Sequence, residues 1–287
     1  MGGWERKQIV GYQHMDEFEA KTKDYAMTVL TKDCWDVVEP ARTTVEVPLS
    51  AATWKIYRDL EKDSLAWLDA NTMASAATAA VVMLRLAQVT SGFIGGVRAE
   101  EQPTLESPAF GPERAVGGEK LHALLSLLDA EWGQDRPVLI YTRFRHDVER
   151  TSDALAGRYP GLPHGRLYGG ATPDERSAAK ELLRYDSVRP ATVTANAQTG
   201  GVGLDCSGSD WIIFAANDFS LKNRQQAEAR IQGPNQTSRV TYTDILATGP
   251  NGERTIDHTI LAALSAKEDV ATWTAERWRA ILRPEED

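Results

Sequence analysis

Three short segments of the chain combine residue types that handle anionic ligands. The first is Tyr141-Thr142-Arg143-Phe144, where a hydroxyl and a guanidinium follow a tight apolar run. On its own it resembles many strand-to-helix turns. The second is Ala197-Gln198-Thr199-Gly200-Gly201-Val202-Gly203-Leu204-Asp205. Gly200, Gly201 and Gly203 permit close backbone approach to a ligand, and the Thr199 hydroxyl can donate to a phosphate oxygen. No Gly-Lys-Ser/Thr follows, so this is not a phosphate-cradling loop of the Walker type. A turn that needs positive φ accounts for its glycines about as well. The third segment is Gln225-Gln226-Ala227-Glu228-Ala229-Arg230, continuing to Gln236. Gln226 and Arg230 are one helical turn apart and share a face. Arg230 there can reach a phosphoryl group and stabilise developing charge. A surface arginine paired with Glu228 is the competing reading.

These segments need rigid elements behind them. After residue 118 the chain alternates between helical periodicity and short apolar runs. Pro137–Tyr141, Ala191–Ala195, Trp211–Ala215 and Arg239–Ile245 read as strands, and Gly165–Tyr168 as a weaker one. Leu121, Leu124, Leu125, Leu128 and Trp132 form one stripe of a helix, and Pro173–Tyr185 reads as another helix. Alternation at this spacing predicts βα units around a mostly parallel sheet flanked by helices. Open sheets of that kind present ligands at the carboxyl ends of their strands, where all three segments fall. Upstream, Val45–Leu49 reads as a strand, and two helices follow, Ala51–Ala70 and Ala76–Val89. Prolines and glycines cluster between Gly95 and Gly118 and mark a boundary. The tail Thr255–Leu282 reads as helical, with Trp273 and Trp278 as packing residues. No internal repeat is visible.

The whole-chain numbers exclude several classes. With 287 residues, 42% hydrophobic and 25% charged, the chain can bury a substantial core. Its apolar stretches fall short of membrane-spanning length and no secretion signal is visible, so a cytoplasmic setting without membrane partners is expected. Two cysteines, Cys34 and Cys206, make neither a disulfide framework nor a zinc site, and no metal ligands are expected on the chain. A net charge of −9 argues against non-specific coating of nucleic acid. Local phosphate contact stays open, because arginine outnumbers lysine and its fork suits phosphate geometry.

From Gly118 to about Lys267 the chain resembles the second RecA-like domain of superfamily 2 helicases, most closely the Swi/Snf-type DNA translocases. Gly118-Glu119-Lys120-Leu121 is similar to the Gly-Lys-Leu start of that domain's first helix. Val138–Phe144 resembles motif IV, Tyr168-Gly169-Gly170-Ala171-Thr172 with Glu175 and Arg176 the next strand end, Thr199–Asp205 motif V, and Gln226–Gln236 motif VI. Upstream, Arg42–Leu49 with Trp54–Tyr57 resembles the stretch joining the two motor domains, and Met83–Gln88 the Leu-Arg-Gln helix after it.

The resemblance implies a RecA-like fold with an N-terminal helical extension. Residues 1–49 would be linker and helices leading from a first motor domain, and 50–95 the extension. Residues 96–117 would be a loop, 118–250 the helicase C-terminal domain and 251–287 C-terminal helices. Arg230 and Gln226 would be catalytic, and Gly200, Gly201, Gly203, Asp205 and Arg230 would face the nucleotide. Thr142, Arg143, Gly169, Gly170, Thr172, Gln198 and Thr199 would contact nucleic acid. ATP and Mg²⁺ would bind only with an N-terminal RecA-like half, in cis or as a separate subunit, and DNA is preferred to RNA as the track. A phage or bacterial source, and then a host cytoplasm, is the expected setting. Two departures stand out. Gly233 occupies the place of motif VI's second arginine, and no Walker A lysine or acidic Walker B pair precedes the linker. The alternative is a nucleic-acid-binding or regulatory module without ATPase function.

Overall fold

The strand Pro137–Thr142 is buried at every position, the pattern expected of a strand covered on both faces. The computed structural model describes residues 13–22, 25, 39–70, 76–95, 114–186, 189–196, 205–233, 235–268 and 273–282. Residues 1–38 form one unit and 39–287 another. In the first, α1 (Met15–Thr22) is a short polar helix whose Lys21 Nζ lies 2.6 Å from Glu17 Oε1.

The second unit is built on a six-stranded parallel sheet. Its strands are β1 (Ala41–Pro48), β4 (Pro137–Thr142), β5 (His164–Leu167), β6 (Ala191–Asn196), β7 (Trp211–Phe214) and β8 (Thr241–Thr248). They lie in the order β1-β8-β7-β4-β6-β5, every neighbouring pair parallel. A second, antiparallel pair joins β2 (Phe93–Ile94) to β3 (Arg114–Ala115). The helices are α2 (Ala51–Ala70), α3 (Ala76–Ser91), α4 (Glu119–Glu131), α5 (Arg145–Arg158), α6 (Pro173–Glu181), α7 (Leu221–Ala229), α8 (Ile256–Ser265) and α9 (Ala275–Leu282).

Alternation along the strands gives the sheet two apolar faces. Val138, Ile140, Ile213 and Ile245 pack against Leu124, Leu128 and Leu155 of α4 and α5. Leu139, Tyr141, Val193, Ile212 and Phe214 pack with Ala179 and Ala227 of α6 and α7. A third core gathers Tyr57, Leu68, Met83, Leu86, Ile260, Trp273 and Trp278 from α2, α3, α8 and α9. Each large side chain buried this way contributes roughly 1.5–3 kcal/mol. Trp278 is fully buried and its ring centroid lies 5.0 Å from that of Trp273, so both tryptophans are packing residues.

A buried polar knot joins this helical layer to the sheet. Lys120 Nζ on α4 donates to Asp257 Oδ2 at 2.8 Å, Thr90 Oγ1 on α3 donates to Asp257 Oδ1 at 2.8 Å, and the Ala247 amide of β8 donates to Asp257 Oδ2 at 3.0 Å. Lys120 of the Gly-Glu-Lys-Leu segment is therefore a cross-brace.

The strand read at Val45–Leu49 is the edge strand Ala41–Pro48, which starts four residues earlier and pairs in register with Thr241–Thr248. Its partner, 200 residues away, leaves no local trace in sequence. The tail, expected to be helical, holds α8 and α9: α8 stops at Ser265, followed by Lys267 at φ 61. The expected loop at 96–117 lies outside the described residues up to residue 113.

Candidate functional site

Because all six strands are parallel, their carboxyl ends share one edge of the sheet, where Thr142–Arg143 and Gly169–Gly170 lie at the ends of β4 and β5, whereas Arg230, at the far end of α7, lies toward the starts of β7 and β8. Gln198, Thr199, Gly200, Gly201 and Gly203 lie outside the described residues. Asp205 and Cys206, which close that loop, are described. The Cys206 amide donates to the Arg230 carbonyl at 3.1 Å, which brings the end of the glycine-rich segment against the end of α7. The Asp205 carboxylate accepts from the Ser207 amide at 2.9 Å and the Ser207 hydroxyl at 2.6 Å, an Asx turn. Gly208 completes it: a Cβ there would lie 2.0 Å from the Arg184 carbonyl oxygen, so only glycine fits. The Asp205 carboxylate thus serves its own turn.

Arg230 caps α7 at its C-terminal end and is half-buried. Its positive charge is felt by Tyr141 and Cys206. Burial pushes the Cys206 thiol up to about 12, with Asp205 adding to the rise and Arg230 opposing it. Burial likewise raises the Tyr141 hydroxyl, again against Arg230. Gln226, one turn earlier, is also half-buried, while Arg224 and Ala227 face inward.

What holds α7 in place is a network that sequence reasoning did not single out. Arg224 Nη1 lies 2.5 Å from Asp244 Oδ1 and Nη2 lies 3.0 Å from Oδ2, a bidentate pair with β8. Its guanidinium carbon sits 3.5 Å from the centroid of the Phe214 ring. Asn217 Nδ2 donates to the same Asp244 at 2.8 Å. Glu228 accepts from Arg224 Nε at 2.7 Å and from Arg42 of β1 at 2.8 and 2.7 Å. Burial raises the Glu228 pKa, but the two arginines outweigh it and the net shift is downward. The competing reading, an arginine paired with Glu228, thus belongs to Arg224 and Arg42. A second staple follows α7: Gln236 Nε2 donates to the Ser209 carbonyl at 2.7 Å and the Ile231 carbonyl at 3.1 Å.

The predicted nucleic-acid contacts divide. Gly169 and Gly170 are exposed beyond β5, and exposed Thr172 is the N-cap of α6. Its hydroxyl accepts from the Glu175 amide at 3.2 Å, and Glu175 accepts from the Thr172 amide at 2.7 Å, a capping box. Thr142 and Arg143 are inside instead. Thr142 is 2% exposed. Arg143 lies 3.5 Å from Asp218 and 3.8 Å from the centroid of the Phe219 ring. Burial lowers its pKa to about 10, against the pull of Asp218. In this arrangement Arg143 braces the loop before α7, its guanidinium held between Phe219 and Asp218 with the side chain 13% exposed.

Residues 119–232 match the helicase conserved C-terminal domain. Among curated proteins, the chain is 28% identical over 180 residues to a zebrafish (Danio rerio) chromodomain-helicase-DNA-binding protein 1-like, covering 60% of this chain and 16% of that protein. The mouse (Mus musculus) protein of the same name is 24% identical over 157 residues, covering 55% and 16%. The chain thus spans about one sixth of these relatives. Among solved structures, the C-terminal part of the Fun30 ATPase domain superposes with a TM-score of 0.55 at 14% identity, covering 85% of this chain and 96% of that one. The Sulfolobus solfataricus SWI2/SNF2 ATPase core in complex with dsDNA superposes with a TM-score of 0.57 at 15% identity, covering 93% and 53%.

Proposed function

We propose that this chain, whose residues 119–232 are a helicase C-terminal domain of the Swi/Snf kind, works as the C-terminal motor half of an ATP-dependent DNA translocase or helicase. The observation that carries the reading is the meeting of the Asp205–Cys206 turn, just before β7, with Arg230 at the end of α7. Beside that meeting we place the nucleotide cleft shared with a second RecA-like domain.

In this reading Arg230 meets a phosphate oxygen of ATP and stabilises charge that develops as the phosphoryl group departs. Gln226, on the same helix, would order groups beside it. A half-buried guanidinium whose charge reaches Tyr141 and Cys206 suits an anionic phosphate. Mg²⁺ would supply charge neutralisation to the phosphates, and the described residues contain no cluster of three or more acidic, His or Cys side chains placed for a metal. The N-terminal half, in cis or as a separate subunit, would hold it. Exposed Gly169 and Gly170 and the N-terminus of α6 at Thr172 suit backbone phosphates of the track, a contact that carries no sequence preference. Duplex DNA is the preferred track, by likeness to the Sulfolobus core in complex with dsDNA.

Arg230→Ala tests this in a protein that contains both motor halves. DNA-stimulated ATP turnover should fall about 10²-fold or more, the usual cost of losing one such charge-stabilising donor. The melting temperature of the present chain alone should barely move. Unchanged turnover would remove Arg230 from the cleft and the motor mechanism with it.

A further inference from the structure

The chain leaves β4 through α5 toward β5 and β6, and leaves β7 through α7 toward β8. The carboxyl ends of β4 and β7 therefore flank the point where connections part, the place where open α/β sheets usually keep a ligand crevice. In this molecule the crevice is almost closed. What remains is a cavity of about 20 Å³ whose lining includes Ser91, Thr142, Asp147, Arg150 and Ala216, together with Lys120, whose charge is matched by Asp257 at 2.8 Å. Small-molecule pockets run to roughly 300–1,000 Å³. One water needs only about 10–15 Å³ by the same kind of measure, with two to four polar partners.

The polar partners are present. Ser91 is 6% exposed and Thr142 2%. Ser91 Oγ, Thr142 Oγ1 and Arg150 Nε are buried and have no hydrogen-bond partner among the described residues. Leaving buried polar atoms unmatched is costly, and native proteins rarely do so. The rest of the Arg150 fork is engaged with the chain: Nη2 donates to the Ser91 carbonyl, and Nη1 reaches the Gly92 and Gly117 carbonyls at 3.4 Å each. The wall also carries opposite charges, since Arg150 lies 3.6 Å from the Asp147 carboxylate. A guanidinium in the wall repels a cation, and a carboxylate repels an anion. A small neutral molecule that both donates and accepts matches this lining.

We propose that one ordered water binds in this cavity, accepting from Arg150 Nε and bridging the Ser91 and Thr142 hydroxyls. It ties the end of α3 to the end of β4 and to α5. The hydroxyl of Thr142 is then a positioning group for the turn that carries Arg143.

A high-resolution crystal structure of the chain should show a single water about 2.7–3.2 Å from Thr142 Oγ1 and Ser91 Oγ. An empty cavity, or a larger ligand there, overturns the proposal. The sign of a stability change gives a second reading. Thr142→Val keeps the shape and deletes the hydroxyl, so it should lose the water and lower Tm by about 2–4 °C. Thr142→Ser should retain both. If Thr142→Val leaves Tm unchanged or raises it, the hydroxyl has no partner to lose and the water site is wrong.

Discussion

Gly233 stands where motif VI usually has its second arginine, and the local geometry says what replacing it would do. Nothing lies within 4 Å of a Cβ built there, and its backbone is outside the left-handed region that favours glycine. Neither space nor conformation requires glycine, in contrast to Gly208, whose Cβ would strike a carbonyl oxygen 2.0 Å away. Gly233→Arg should therefore leave the melting temperature of the chain within about 2 °C of the parent, since unstrained surface changes stay within ±0.5 kcal/mol. In a protein with both motor halves it should maintain or raise DNA-stimulated turnover. A large fall in melting temperature would show that the turn needs glycine after all. A fall in turnover with stability intact would show that position 233 does not face the phosphates.

At the scale of elements, α7 depends on charged groups more than on apolar ones. Its inward face offers Ala227 and the guanidinium of Arg224, which is 6% exposed and clamped on Asp244, also 6% exposed. Removing one partner of a buried pair typically costs ~3–5 kcal/mol, because the other charge is left stranded. Arg224→Ala should lower the melting temperature by roughly 10 °C. Arg224→Lys should recover less than half of that, since an ammonium can neither bridge both Asp244 oxygens nor stack on Phe214. The outer clamp is pH-dependent. Glu228 titrates below its ordinary value of 4.5: burial raises it, and the hydrogen bonds from Arg42 and Arg224 more than reverse that. A depressed carboxylate contributes stability that is present above its unfolded value and lost as pH falls through the folded one. Arg42→Ala removes one of those arginines, so acid unfolding followed by circular dichroism should begin at higher pH in that variant. An identical acid midpoint would mean that Arg42 holds α7 too weakly to matter.

For the whole molecule, the decisive property is how much of its relatives it covers. The chain spans about one sixth of its curated relatives, while matching nearly all of a solved C-terminal ATPase part. Motors of this kind need a lysine and Mg²⁺ on the β- and γ-phosphates, and the chain shows no Walker A lysine motif. The purified chain should give no ATP turnover above background in a coupled assay with duplex or single-stranded DNA. Turnover above about 1 s⁻¹, an ordinary enzymatic rate, that disappears on changing a residue of this chain would refute the division of labour.

The βα alternation and the central buried strands were legible from sequence alone, because periodicity and apolar runs are local signals. Motif order carried the helicase C-terminal reading in the same way. Tertiary structure alone decided which charges are turned into the core. Arg143, Arg224 and Arg230 look equivalent in sequence, yet Arg143 is enclosed by Phe219 and Asp218, and Arg224 by Phe214 and Asp244. Only Arg230 of the three lies at the helix end beside the Asp205–Cys206 turn. The edge strand Ala41–Pro48 was likewise settled by its distant partner β8. Burial and long-range pairing depend on what the folded chain brings next to a residue, and no window of neighbouring sequence contains that information.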